Sequence, residues 1–91
     1  MTVYSPPAKN GFTIYSISGC KYCDAAKNML KKSQKKMKAV NCDKYIERLR
    51  ERDAFYAYIH KYTKIPYTHF PMIFGDGKFI GGYKELLGTK S

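Results

Sequence analysis

The sequence predicts an α/β domain: a four-stranded mixed sheet in the order βαβαββα, with helices flanking it. Three observations predict it. Apolar runs of strand length alternate with longer segments whose apolar residues keep helical spacing. The pair Cys20-Lys21-Tyr22-Cys23 stands where the first apolar run gives way to the first helical segment. Near the end, two short apolar runs flank Gly75-Asp76-Gly77, a hairpin signal.

The elements follow in order. Residues 1–10 read as a loose lead-in, with Pro6-Pro7 and Asn10-Gly11 as breakers. The first strand is expected at about 12–18. The first helix is expected at 21–34, with Cys23, Ala26, Met29-Leu30 and Ser33 on one face. Cys20 would sit just before its first turn. A second strand is expected at 37–42. Asp43 is placed to cap one long helix over 44–62, with Glu47 in its first turns. Pro66 and Pro71 stop that helix from continuing. Strands at 72–74 and 78–80 form the hairpin, Gly81-Gly82 ends it, and 83–87 make a short final helix. The first half is then a parallel pair with a crossover helix, and the last two strands are antiparallel.

The 91 residues suit a single domain, 1–91, and 44% hydrophobic residues suffice for its core. The nine tyrosines are expected at the core margin, ring buried and hydroxyl wet. No apolar run approaches ~20 residues, so no membrane-spanning helix is expected. Residues 1–7 lack a charged start followed by an apolar block, and so do not read as a secretory signal. Three cysteines with one close pair are no disulfide framework, and a reducing intracellular compartment is expected. Seventeen basic against seven acidic residues leave a formal net charge of +10. Basic runs on helices read first as solvated faces and second as steering towards a negative partner, whether nucleic acid, acidic protein or small anion.

A dithiol at a strand-to-helix junction can pass electrons as a disulfide. The Cys20 sulfur would face unsatisfied backbone N–H groups and the positive end of the helix, with the Lys21 cation adjacent. Both favour thiolate, the attacking species. Cys20 is therefore the expected nucleophile and Cys23, deeper in the first turn, the resolving thiol. A zinc site is the competing use of the pair. A zinc ribbon needs a second close pair, and Tyr45 stands where a partner of Cys42 would be. His60 and His69 would complete a ligand set only by coincidence of folding, so no metal is assigned. Cys42 alone reads as a packed thiol. Pro71 after Phe70 would, if cis, expose the Phe70 backbone to an extended peptide; taken alone it reads as an ordinary trans proline. Gly81-Gly82 would let a ligand approach the backbone, and the next helix N-terminus can bind a carboxylate; taken alone it reads as a turn.

Together these residues resemble the glutaredoxins, a branch of the thioredoxin fold. The resemblance spans about 12–87. Tyr15-Ser16 through Cys20-Lys21-Tyr22-Cys23 is similar to the family's active-site segment, and His69-Phe70-Pro71 to its Thr-Val-Pro with a cis proline. Ile73-Phe74, Asp76-Gly77-Lys78 and Ile80-Gly81-Gly82 resemble its hairpin and glutathione-binding turn. The resemblance implies a cytoplasmic thiol–disulfide oxidoreductase that reduces protein disulfides and glutathione mixed disulfides. Glutathione is the implied reductant and ribonucleotide reductase a candidate recipient. A monomer is expected, of minimal, viral or phage-like size, in the host cytoplasm if viral. Carried over, Tyr22 lines the glutathione groove, the Phe70 backbone pairs with the cysteinyl part, and Gly82 and Tyr83 hold the γ-glutamyl carboxylate. Lys21, His69, Pro71, Gly81 and Lys84 complete the implied groove.

The chain also departs from the family's pattern. Lys21 replaces the usual proline, Ile17 a frequent lysine, and His69-Phe70 the Thr-Val pair. Tyr67 and Thr68 stand where basic or amide side chains are expected. Lys84 stands where an acid is expected to grip the γ-glutamyl ammonium. Lys21, Lys64 and Lys84 offer cations for the carboxylates of glutathione. His69 reads first as a packing residue and second as a tuner of Cys20. Three rival functions stay open: a thioredoxin-like reductant recharged by a reductase, a glutaredoxin holding a 2Fe-2S cluster between subunits, and a basic module binding single-stranded nucleic acid. The first lacks a Trp-Cys-Gly-Pro-Cys segment, and the chain has no tryptophan.

Overall fold

Thr13, Ile14, Tyr15 and Ser16 are all within 1% of full burial, so the strand that carries them must be covered on both faces. A computed structural model, which describes residues 4–89, shows how. This strand, β1 (Phe12–Ser16), is followed by α1 (Lys21–Lys31), β2 (Met37–Asn41), α2 (Asp43–Ile46), α3 (Leu49–Thr63), β3 (Met72–Gly75), β4 (Lys78–Gly81) and α4 (Tyr83–Thr89). The sheet order is β2-β1-β3-β4. β1 runs parallel to β2, with Ile14 opposite Ala39, and antiparallel to β3, with Ile14 opposite Ile73. The mixed sheet and its crossover are as the sequence predicts. The first three and last two residues of the expected 1–91 domain lie outside the described residues.

Alternation along the strands sends side chains to two cores. Ile14 and Ile73 pack with Ala26 and Leu30 of α1 and Leu86 of α4. Tyr15, Met72 and Phe74 pack on the other face with Cys42, Tyr45, Phe55 and Ile59. Phe55 is the hub of this second core. Its ring stacks on Tyr45 at 5.2 Å and on Phe70 at 6.4 Å, with interplanar angles of 17° and 10°. Thus α3 reaches the segment that carries Pro71.

The long helix expected over 44–62 is two helices, α2 and α3. The chain breaks between them, with Arg48 extended at φ −118°, ψ 142°. The reason is the Tyr45–Phe55 stack. In one continuous helix, ten residues would separate these rings by ~15 Å along the axis. Only a break lets both enter one core. The Arg52 guanidinium reaches back to the Ile46 carbonyl at the end of α2, at 3.4 Å. The first helix also ends sooner than expected, at Lys31. The Ser33 hydroxyl takes the Leu30 carbonyl at 2.6 Å, and Gln34 turns the chain at φ 66°.

Residues 4–11, before β1, have no helix or strand, yet they are fastened. The Tyr4 ring lies 5.0 Å from Tyr45 and 4.6 Å from Tyr58, and the Tyr15 hydroxyl donates to the Ser5 carbonyl at 2.7 Å. The Gly11 N–H donates to Asp76 Oδ1 in the hairpin turn at 2.8 Å. That turn has two central residues, Asp76 at φ 50° and Gly77 at φ 84°. Both are positive, as a tight two-residue hairpin loop requires. Among the described residues no helix is long and apolar enough to cross a membrane.

Replacing Phe55 with alanine empties the centre of the aromatic core. The expected cost is about 3–5 kcal/mol of unfolding free energy. Urea unfolding of wild type and Phe55→Ala measures it, and a loss below about 1 kcal/mol would contradict the hub assignment.

Candidate active site

Cys20 is the N-cap of α1, in extended conformation at φ −106°, ψ 106°. Its sulfur accepts the Cys23 N–H at 3.2 Å, the place a serine or aspartate oxygen takes in ordinary caps. The same sulfur lies 4.0 Å from the carbonyl oxygen of Phe70, across from the helix. Cys20 is partly exposed and Cys23 fully buried. Burial is the main cause that pushes the Cys23 thiol up to about 12, and the neighbouring Cys20 adds to it. A backbone hydrogen bond from Ile17 and the Lys27 charge offset this only in part. The two sulfurs, three residues apart, therefore differ in kind: one is presented at a helix terminus and one keeps its proton.

The loop between β1 and α1 places Cys20, and Asp43 holds that loop. Its carboxylate accepts the Ser18 N–H at 2.8 Å and the Ser18 hydroxyl through its second oxygen. Asp43 was expected to cap the following helix. Instead Cys42 is the N-cap of α2 and makes no side-chain cap hydrogen bond, while the Asp43 carboxylate faces the loop between β1 and α1. The Ser18 hydrogen bonds hold the Asp43 pKa below its usual value. Cys42 is buried, and burial pushes its thiol up to about 12, with Asp43 and Cys23 adding to the rise. Among the described residues no group of three or more His, Cys, Asp or Glu could hold a metal ion.

The Phe70–Pro71 peptide bond is cis. Beside it opens a groove of ≈ 280 Å³, lined by Tyr22, Tyr67, Phe70, Pro71, Gly82, Tyr83, Lys84 and Glu85. The structure thus brings together Tyr22, Phe70, Pro71, Gly82, Tyr83 and Lys84 from three separate stretches of the sequence. Lys21 lies outside the lining, with Nζ 5.3 Å over the Tyr22 ring. His69 is exposed, edge-on to Tyr67 at 5.7 Å. Gly81 is buried behind the lining, at φ 132°, where a Cβ would meet Glu85 Cγ at 2.6 Å. Ile17, at the position where the resemblance implies a frequent lysine, packs against the aromatic core.

Two lining residues escaped the sequence reading. The acid sought at position 84 stands at Glu85, whose Oε1 accepts the Gly82 N–H at 2.8 Å. The signal was present: Gly82 precedes α4 and Glu85 is its third residue, the spacing at which an acid reaches back to the cap N–H. Tyr67 reads in the sequence only as a departure from the family's pattern. Its placement depends on the loop between α3 and β3 and had no local signal.

Comparison with known proteins fits this geometry. A family model described as Glutaredoxin matches residues 12–80. The chain is 37% identical over 84 residues to Glutaredoxin-2 of Schizosaccharomyces pombe, which covers 92% of this chain and 71% of that protein. Glutaredoxin 1 of Francisella tularensis, solved in complex with cacodylate, superposes with a TM-score of 0.72 at 27% identity, covering 88% of this chain and 91% of that one. The dithiolic glutaredoxin 2-C-Grx1 of Trypanosoma brucei brucei superposes at 0.67 with 27% identity, over 89% and 77%. The architecture is the thioredoxin fold that the sequence predicts.

Two expectations follow from the site. In the reduced protein at pH 8, iodoacetamide should alkylate Cys20 at least about 100-fold faster than Cys23 or Cys42, because buried thiols hold their protons. Mass spectrometry of the time course reads this, and comparable rates would contradict the partition. Asp43 has a folded pKa below its unfolded value. Its contribution to stability is therefore fully present above the ordinary pKa of 3.8 and is lost as pH falls through the lowered one. Asp43→Asn should lower the urea midpoint at pH 6, with the difference from wild type vanishing in acid. A gap that persists below pH ~2 would contradict the tether's charge dependence.

Proposed function

The chain belongs to the glutaredoxin family and is a thiol–disulfide oxidoreductase; on that premise we propose that glutathione is its reductant, Cys20 its nucleophile and Cys23 its resolving thiol. The observation that carries this reading is the contrast between the two sulfurs. Cys20 is partly exposed, holds an N–H donor and lies beside the carbonyl of Phe70, a residue that lines the groove. Cys23 is buried and keeps its proton, so it does not compete for the first attack.

The steps balance as follows. The Cys20 thiolate attacks the glutathione sulfur of a protein mixed disulfide. The Cys20–glutathione bond forms as the old S–S bond breaks, and the protein thiolate leaves and takes a proton from water. A second glutathione thiolate then attacks that bond, and glutathione disulfide and the Cys20 thiolate are released. On a protein disulfide, Cys20 attacks first and Cys23 then displaces the substrate, its proton going to the leaving thiolate. Two glutathione molecules reopen the resulting Cys20–Cys23 disulfide.

Glutathione lies along the groove in this reading. The Tyr22 ring flanks it and the Phe70 backbone pairs with its cysteinyl part. Gly82 and Tyr83 face the γ-glutamyl carboxylate. Glu85 takes the role of the acid that Lys84 cannot play: Oε1 is held by the Gly82 N–H, and the second oxygen is left for the γ-glutamyl ammonium. Lys84 in the lining and Lys21 beside Tyr22 offer cations to the carboxylates.

The test is glutathione-dependent reduction of a small mixed disulfide, coupled to glutathione reductase. Cys20→Ser should lose activity by about 10³-fold or more. Cys23→Ser should keep mixed-disulfide reduction within about tenfold, yet lose reduction of a protein disulfide. A folded wild type with no glutathione-dependent turnover would sink the reading and move the reductase-recharged alternative ahead.

A further inference from the structure

Tyr67 lines the groove, and the reading above leaves it without a task. Its ring is wedged edge-on against Phe79 at 5.0 Å and His69 at 5.7 Å. This fixes where the hydroxyl points. It lies over Gly82, where a Cβ built on that glycine would sit only 2.7 Å from the phenol oxygen. Glu85 Oε1 is 3.5 Å from the same Cβ position. A phenol O–H and a carboxylate thus stand side by side at one end of the groove. Burial and then the Glu85 charge raise the Tyr67 pKa, so the phenol keeps its proton and remains a donor. Among the described residues the hydroxyl has no hydrogen-bond partner.

We propose that Tyr67 is a specificity-determining residue whose hydroxyl donates a hydrogen bond to the α-carboxylate of a ligand's γ-glutamyl group, beside Gly82. The proposal rests on the glutathione reading. Its chemistry is the sorting of a zwitterion. Glu85 can only accept, so it attracts an ammonium and repels a carboxylate. Tyr67 offers the proton that a carboxylate needs. Together they fix which end of an amino acid head group turns which way. Lys84 adds charge to this arrangement but little direction, since an ammonium on a flexible stem acts as a point charge. A donor fixed by ring packing costs little ordering when the ligand binds.

The experiment uses one peptide carrying either glutathione or cysteinylglycine as its mixed-disulfide partner. The second differs from the first only by the γ-glutamyl group. Single-turnover release of the peptide thiol by the reduced protein gives a half-saturation concentration and a limiting rate for each. Wild type should favour the glutathione form. Tyr67→Phe keeps both ring contacts, so its melting temperature should stay within a few degrees of wild type. It should raise half-saturation for the glutathione form about tenfold, leave the limiting rate unchanged, and leave the cysteinylglycine form unaffected, as expected for one lost hydrogen bond to a charged group. Equal effects on both forms, or none on either, in a protein that still prefers glutathione would overturn the role of Tyr67 alone. A wild type with no preference would overturn the glutathione reading and this inference with it.

Discussion

The hydrogen bond from the Cys23 N–H to the Cys20 sulfur is the interaction on which the site depends. A helix begins with donors that its own backbone cannot satisfy, and this chain meets one of them with sulfur instead of oxygen. The first cysteine is thereby pinned at the open end of α1, and one turn carries the second into the core. The same cap sets the direction in which α1 leaves β1, and so the packing of Ala26 and Leu30 on Ile14 and Ile73. The chemistry and the first core share one origin.

Around that cap, the fold sorts like groups by environment. Three cysteines lie in one small domain, and burial separates them. Cys23 and Cys42 are enclosed and hold their protons, while Cys20 is partly exposed beside the Phe70 carbonyl. The groove is sorted in a similar way. Its two glycines let Glu85 and the Tyr67 hydroxyl close over the backbone, where any side chain would collide with them. An acceptor and a donor then share one end of a cavity whose walls are largely aromatic.

Three of the seven acids fasten the backbone around the site and the hairpin. Asp43 ties the loop between β1 and α1, Asp76 ties the segment before β1, and Glu85 ties the turn before α4. Each accepts from a backbone N–H. Several lysines lie over rings instead: Lys21 over Tyr22, Lys35 over Phe12, and Lys61 over Tyr58 and Tyr62. Such contacts bury the stems and leave the ammonium groups in water. Lys38 instead donates to the Pro6 carbonyl at 2.7 Å.

The sequence by itself determined what depends on neighbours along the chain. Alternating apolar residues set the strands, the Asp76-Gly77 pair set the hairpin, and the Cys20–Cys23 spacing at a strand-to-helix junction set the dithiol. Tertiary structure decided what depends on distant partners. The expected long helix is divided because Tyr45 and Phe55 must meet in one core, a requirement no local propensity records. Asp43, read as a cap, crosses to Ser18 because the fold brings the end of β2 beside the loop after β1. Glu85 lay one position from where an acid was sought, and Tyr67 enters the groove only because Phe79 and His69 wedge it there. Local pattern encodes backbone geometry, which repeats every few residues. A binding groove is assembled from residues of three segments, and their meeting is a property of the packed chain alone.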